Sequence, residues 1–186
     1  MQPEYSHTSY NQAMYTSQIT VQRLSEQTDI LPITIPEKLL KDNISNGCLV
    51  TIVGQLRSYN KIVGGKSKLC ITVFVKQISE FKDYENLIEL EGYICKQPVF
   101  RRTPLGKEIT DLLVAVNRSK DKSDYIPVIF WGYNAREAAQ LAIGEKIKLS
   151  GRCQSRKYEK KYENGNTEIL TAYEVSGFHL EASNVF

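Results

Sequence analysis

Residues 151–165 read GRCQSRKYEKKYENG. Between positions 152 and 161, Arg152, Arg156, Lys157, Lys160 and Lys161 face one anion, Glu159, with Tyr158 set among the cations. In an extended chain successive side chains point to opposite faces. Ile147, Leu149, Gly151 and Cys153 then share one face, and Arg152, Gln154, Arg156, Tyr158, Lys160 and Tyr162 share the other. Such a stripe can hold phosphates by charge and flat rings by stacking. An edge strand guarded by charge would also be cationic, but guarding does not require the phenols.

A second stretch adds to this chemistry. If Ile126, Val128 and Phe130 of YIPVIFW (125–131) face a core, Tyr125, Ile129 and Trp131 face outward. An outward aromatic row is poorly suited to bare solvent. It suits single-stranded nucleic acid, whose bases stack on rings while Lys and Arg follow the backbone. Packing of Tyr125 or Trp131 against the helix or another domain is the competing reading. Candidate nucleic-acid contacts are therefore Tyr125, Trp131, Tyr158, Arg152, Arg156, Lys157, Lys160 and Lys161. Arg101, Arg102, Lys107 and Arg118 are further candidates, and the hairpin QLRSYNKIVGGKSK (55–68) adds Arg57 and Tyr59.

An internal repeat indicates the elements that position these residues. DILPITI (29–35) matches DYIPVIF (124–130) at an offset of 95, which also aligns Ile19, Val21 and Arg23 with Val114, Val116 and Arg118. GCLVTIVGQLRS (47–58) matches GEKIKLSGRCQS (144–155) at an offset of 97, and CITVFV (70–75) roughly matches LTAYEV (170–175). Two copies point to tandem domains rather than a solenoid. The second copy reads as strands at 87–94, 109–116 and 125–131, then a helix at 134–144, then two strands around the opening hairpin. In that helix Asn134 is the expected N-cap, Glu137 completes a capping box and Gly144 is the stop. Five strands with a helix between the third and fourth is the order of an OB-fold barrel.

The expected fold is all-β with one short helix per domain, in two tandem five-stranded OB-fold barrels. The expected boundaries are 1–80 and 87–182, with SEFKDYEN (79–86) as linker. PEKLLKDNISNG (36–47) is the expected helix of the first copy. At a fixed offset the first strand of that copy would fall before residue 1. Either residues 3–16 supply it after a shortened turn, or the first barrel is incomplete. At the aromatic positions the first copy has Ile30, Thr34 and Pro36, so its stacking platform is largely gone.

Composition narrows the function classes. The net charge is +3, with 9 Lys/Arg and 8 Asp/Glu in residues 1–85 and 15 and 13 in residues 86–186, so any anion-binding surface must be local. Cys48, Cys70, Cys95 and Cys153 are far apart and the histidines, His7 and His179, form no cluster with them, which argues against a sequence-local metal site. No signal-peptide pattern or membrane-spanning apolar run is present, so the expectation is a cytoplasmic protein with reduced thiols. No Ser/His/Asp or Cys/His pattern and no phosphate-binding glycine loop is present, so neither an enzyme nor a cofactor is expected.

The run LIELEGYICKQPVFRRTPLGKEITDLLVAVNRSKDKSDYIPVIFWGYNAREAAQLAIGEKIKLSGRCQSRKY (87–158) closely resembles the bacterial single-stranded DNA-binding proteins. VAVNR, YIPVIFWG and IGEKIKLSGRCQSRKY carry the resemblance together. It implies base stacking by Tyr125, Trp131 and Tyr158, and largely sequence-independent DNA binding in replication, recombination or repair. Two domains per chain resemble the tandem variants, which implies a homodimer with four barrels. The chain stops at LEASNVF without the family's usual acidic tail, so recruitment of other proteins through such a tail is not expected. A primosome-type adaptor working through protein contacts and an RNA-binding OB protein are the alternatives.

Overall fold

The computed structural model describes residues 2–9, 11–23, 25–40, 47–118, 122–162 and 165–182. The chain divides into two compact units, Met1–Glu85 and Asn86–Phe186.

The second unit is a closed barrel. Its strands are β6 (Ile88–Ile94), β7 (Val99–Arg102), β8 (Glu108–Arg118), β9 (Lys122–Trp131), β10 (Lys146–Lys161) and β11 (Thr167–Ala182), with helix α1 (Tyr133–Ala138) between β9 and β10. The order is β6-β10-β11-β9-β8, and β6 also pairs with β8, which closes the wall; β7 is appended to β8. Strands β9 and β11 run parallel and the other pairs antiparallel, the arrangement of an OB-fold. Alternation fills the interior. Leu112, Val114, Ile126, Val128, Phe130, Ile147, Leu149, Cys153 and Val175 are all buried. Gly92 stands where β6 leaves β10 for β8, and a β-carbon there would collide with the carbonyl of Ala115.

Helix α1 is shorter than the expected 134–144. Gly132, at φ 57°, is the N-cap, and Asn134 turns its amide away to donate to the Phe178 carbonyl at 2.7 Å. After Ala138 the chain tightens into turns: Leu141 N–H bonds the Ala138 carbonyl, and the Glu145 side chain accepts from Ala142 N–H. The buried Thr110 hydroxyl donates to the Ala135 carbonyl at 2.6 Å and ties the helix to β8.

Among its described residues the first unit repeats this plan without one strand. It has β1 (Glu4–Ser9), β2 (Gln12–Gln22), β3 (Thr28–Pro36), β4 (Val50–Val63) and β5 (Lys66–Glu80), ordered β1-β2-β3-β5-β4 in an open sheet. Strands β2 to β5 are the counterparts of β8 to β11, and β3 and β5 again run parallel. Strand β1 pairs with the Gln12–Thr16 end of β2, as β7 pairs with the Glu108–Asp111 end of β8. It therefore takes the place of β7, and no described strand takes the place of β6. Of the two expected barrels, the first is the incomplete one. Its core is small, built on Ile33, Ile35 and Val75 with Ile19, Ile52 and Ile78 packed against them. In the described part of the expected helix at 36–47 there is a 3-10 turn at Glu37–Leu39, and residues 41–46 lie outside the described residues.

An ion pair is duplicated along with the strands. Arg23 grips the fully buried Asp29 with two hydrogen bonds of 2.6 Å, and Arg118 meets the equally buried Asp124 at 3.1 Å. Each pair closes the turn end of a hairpin, Arg23 just past β2 reaching β3 in one unit and Arg118 of β8 reaching β9 in the other.

Candidate nucleic-acid interface

The outer wall of the second unit is best followed across its strands. In register, Asp111, Ile129, Ser176 and Arg152 lie side by side on β8, β9, β11 and β10. Two residues to one side, Trp131 pairs with Ile109; four residues to the other, Tyr125 pairs with Ala115. Tyr125 and Trp131 are 43% and 38% exposed and share a face, about 20 Å apart along the strand. Ile129, expected to face outward with them, does lie on their side of β9 but is only 1% exposed. Alternation gives its side correctly and misses its burial. The platform is two separated rings and not a continuous apolar row.

Most of the expected cations fall into two groups, and Arg152 belongs to neither. In the first, arginines are engaged with carboxylates. Arg156 donates to Glu174 at 3.0 and 3.3 Å, and Gln154, itself buried, donates to the same carboxylate at 2.9 Å. These bonds to Glu174, with smaller contributions from Asp111 and Tyr158, raise the Arg156 pKa above its usual value. Arg101 forks onto Asp111 at 2.6 and 3.2 Å. Arg102 shares Glu108 with Arg136, at 3.1 and 2.6 Å, and the Arg136 bond is the main reason that carboxyl lies below the usual range. Arg118 is held by Asp124.

The second group is uncommitted among the described residues. Lys107, Lys157, Lys160 and Lys161 are exposed and form no ion pair with a described carboxylate. Three of them stand on the β10 extension with two phenols. Tyr158 is half-buried, 5.8 Å from the Arg156 guanidinium, while Lys160 lies 4.9 Å from the Tyr162 ring. The Tyr162 hydroxyl donates to Glu168 at 2.6 Å, a bond that raises its pKa. Arg152 lies 5.9 Å from the ring of Phe178, which is 50% exposed.

Sequence reasoning missed Phe178, Asp111 and Glu174. Phe178 is the extra residue of a bulge in the β10–β11 ladder, where the register shifts between Ser150 and Gly151, so simple alternation does not assign it a face. Each carboxylate stands on the strand next in sequence to its arginine, 10 and 18 residues further on, and only the pairing of the two strands brings them together.

The matching face of the first unit has different chemistry. Arg57 holds the Gln154 position, and the ladders set Thr72 at the Glu174 position and Phe74 at the Ser176 position, two residues away from the match of CITVFV with LTAYEV. The Arg57 guanidinium stacks 3.5 Å from the Phe74 ring. Thr34 and Thr72 share a hydrogen bond of 3.0 Å. Tyr59 is 53% exposed, and partial burial, more than nearby Cys70, raises its hydroxyl pKa. This face therefore retains an aromatic at Phe74, which the repeat comparison does not single out.

Residues 85–176 match the Single-strand binding protein family. A Single-stranded DNA-binding protein of Clostridium tetani is 37% identical over 83 residues, which are 41% of this chain and 57% of that protein. Single-stranded DNA-binding protein 2 of Streptococcus agalactiae is 32% identical over 102 residues, 51% of this chain and 76% of that protein. Among solved structures, the wild-type single-stranded DNA binding protein of Thermus aquaticus superimposes with a TM-score of 0.72 at 19% identity, over 98% of this chain and 87% of that one. That likeness is one of fold, and it takes in both units.

Proposed function

This chain belongs to the single-strand binding protein family, and we propose that it binds single-stranded DNA with little sequence preference and without catalysis. The observation that carries the reading is the pairing of two exposed rings, Tyr125 and Trp131, on one barrel wall with uncommitted lysines on the β10 extension. Stacking tolerates any base and the lysines meet any phosphate, so such a surface holds a strand without reading it. Most of the affinity is assigned to the second unit, with weaker contacts through Arg57 and Tyr59 of the first. A cytoplasmic homodimer acting in replication, recombination or repair completes the reading.

The test is a titration of the full chain with oligo-dT, an RNA of equal length and duplex DNA at several salt concentrations. Tighter binding to the single DNA strand, weakening steadily with salt, is the expected result. A preference for duplex, or for RNA over DNA, overturns the reading.

A further inference from the structure

The open edge of the first unit is the feature the DNA-binding reading leaves unused. In the second unit β6 bonds to β10 along Lys146–Gly151 and to β8 at Val114 and Ala115. The counterpart of that β10 stretch begins just before β4, at Leu49, and runs to Gly54. Its outer edge meets no described strand.

The residues on this edge are unlike those of their counterpart. CLVTIVGQL (48–56) carries no charge over nine positions. Ile52 packs inward on the small core, while Leu49 and Val53, on the other face, are 61% and 54% exposed. The second unit has Lys146 and Ser150 at those two positions, and Lys146 and Lys148 both pair with Glu91 of β6. Leu49 and Val53 share the outward face with Gln55 and with Thr51, which accepts from Lys82 N–H at 3.1 Å. That face is uncharged and half apolar, and exposed apolar residues on both sides of a strand favour a cover. A bare apolar edge is also a template for another strand.

We propose that this edge is a self-association surface, on which β4 of one chain pairs antiparallel with β4 of a second copy about a two-fold axis near Ile52. A two-fold interface must complement itself, and the uncharged window does so. Centred on Ile52, residues 48–56 meet residues 56–48 and Arg57 falls opposite Gly47, so no like charges are opposed across the ladder. A centre at Arg57 or at Lys61 would set that residue against its own copy, and a centre at Tyr59 would set Arg57 against Lys61. An acidic strand like β6 has no lysine to meet at Leu49 or Thr51. The backbone is suited to pairing as well. The bulge at Val53/Gly54 lies in the ladder with β5, and its counterpart at Ser150/Gly151 leaves the β10–β6 ladder unbroken.

The surface would provide the contact for the homodimer proposed above, and only the stoichiometry rests on that reading. Light scattering on the full chain tests it, using the parent protein, Val53→Lys, Val53→Glu and an equimolar mixture of the two variants. The parent should have twice the 21.2 kDa chain mass, each variant the single mass, and the mixture the double mass again. Dimers that survive both substitutions place the contact elsewhere and overturn the surface while leaving the homodimer standing. A parent that stays at the single mass at high concentration overturns both, and oligo-dT binding remains a separate measurement. Hydrogen exchange on the unsubstituted protein guards against variants that misfold. Protection of residues 48–56 should rise with protein concentration, and protection independent of concentration overturns the proposal.

Discussion

Arg156 and Glu174 form a two-pronged ion pair at 3.0 and 3.3 Å in the middle of the wall assigned to DNA. An arginine expected to meet phosphate is thus already partly neutralised. Glu174→Gln keeps the shape of the side chain and removes its charge. We predict tighter oligo-dT binding and a steeper salt dependence, at a loss of about 1–3 kcal/mol in stability from the weakened buried network. Salt titration and urea denaturation measure the two effects, and unchanged or weaker binding would count against the role given to Arg156.

Trp131 is the single tryptophan of the chain, so its fluorescence reports one place on the wall. Saturating oligo-dT should quench it. Trp131→Ala and Tyr125→Ala should each weaken binding by about 1–3 kcal/mol if a base stacks on each ring. A folded Trp131→Ala variant with normal affinity would remove the platform from the interface.

The free lysines should govern the salt response more than the engaged arginines do. Replacing Lys157, Lys160 and Lys161 together by alanine should lower the slope of log affinity against log salt by about 2, at about 0.7 for each phosphate no longer neutralised. Arg102→Ala should change that slope little, because Glu108 already holds its charge.

Glu108 provides a pH test that needs no DNA. Its folded pKa is depressed, so its ion pairs support the fold above the ordinary carboxylate range and are lost as pH falls through the folded value. Titration followed by NMR should place its midpoint below that of a free glutamate. Arg136→Ala should raise the midpoint more than Arg102→Ala, since the Arg136 bond is shorter, 2.6 against 3.1 Å.

The duplicated Arg–Asp pairs should be costly to break. Removing one partner of a buried pair leaves a charge without its counterion, and Asp29→Ala or Asp124→Ala should each destabilise its own unit by about 3–5 kcal/mol. Denaturation of the full chain should then show the affected unit unfolding first. A single transition unchanged in midpoint would contradict the role given to the pairs.

The repeat is readable because matching residues do matching jobs. DILPITI and DYIPVIF both begin with the buried aspartate, and Arg23 and Arg118 both reach it. Alternation places Tyr125, Trp131 and the inward row of β10 correctly, since it follows from backbone geometry alone. It cannot report that Ile129 is covered, because coverage depends on residues from other strands. Asp111 and Glu174 stay hidden for the same reason. By sequence residues 3–16 could supply a first strand, yet β1 sits in the β7 position, a choice settled by which end of β2 it meets.

The placement of β11 also bears on synthesis. Strand β11, the last of the described strands, lies inside the wall between β9 and β10, so the second barrel cannot close until about residue 176 has left the ribosome. Until then the inner edge of β9, with Val128 and Ile129, has no partner. Partly made chains with bare strand edges are prone to pair with one another. Chains truncated at residue 161 and freed from the ribosome should therefore be cut readily by protease within 122–131, and full-length chains should resist. Equal resistance at both lengths would show that the barrel forms without its final strand.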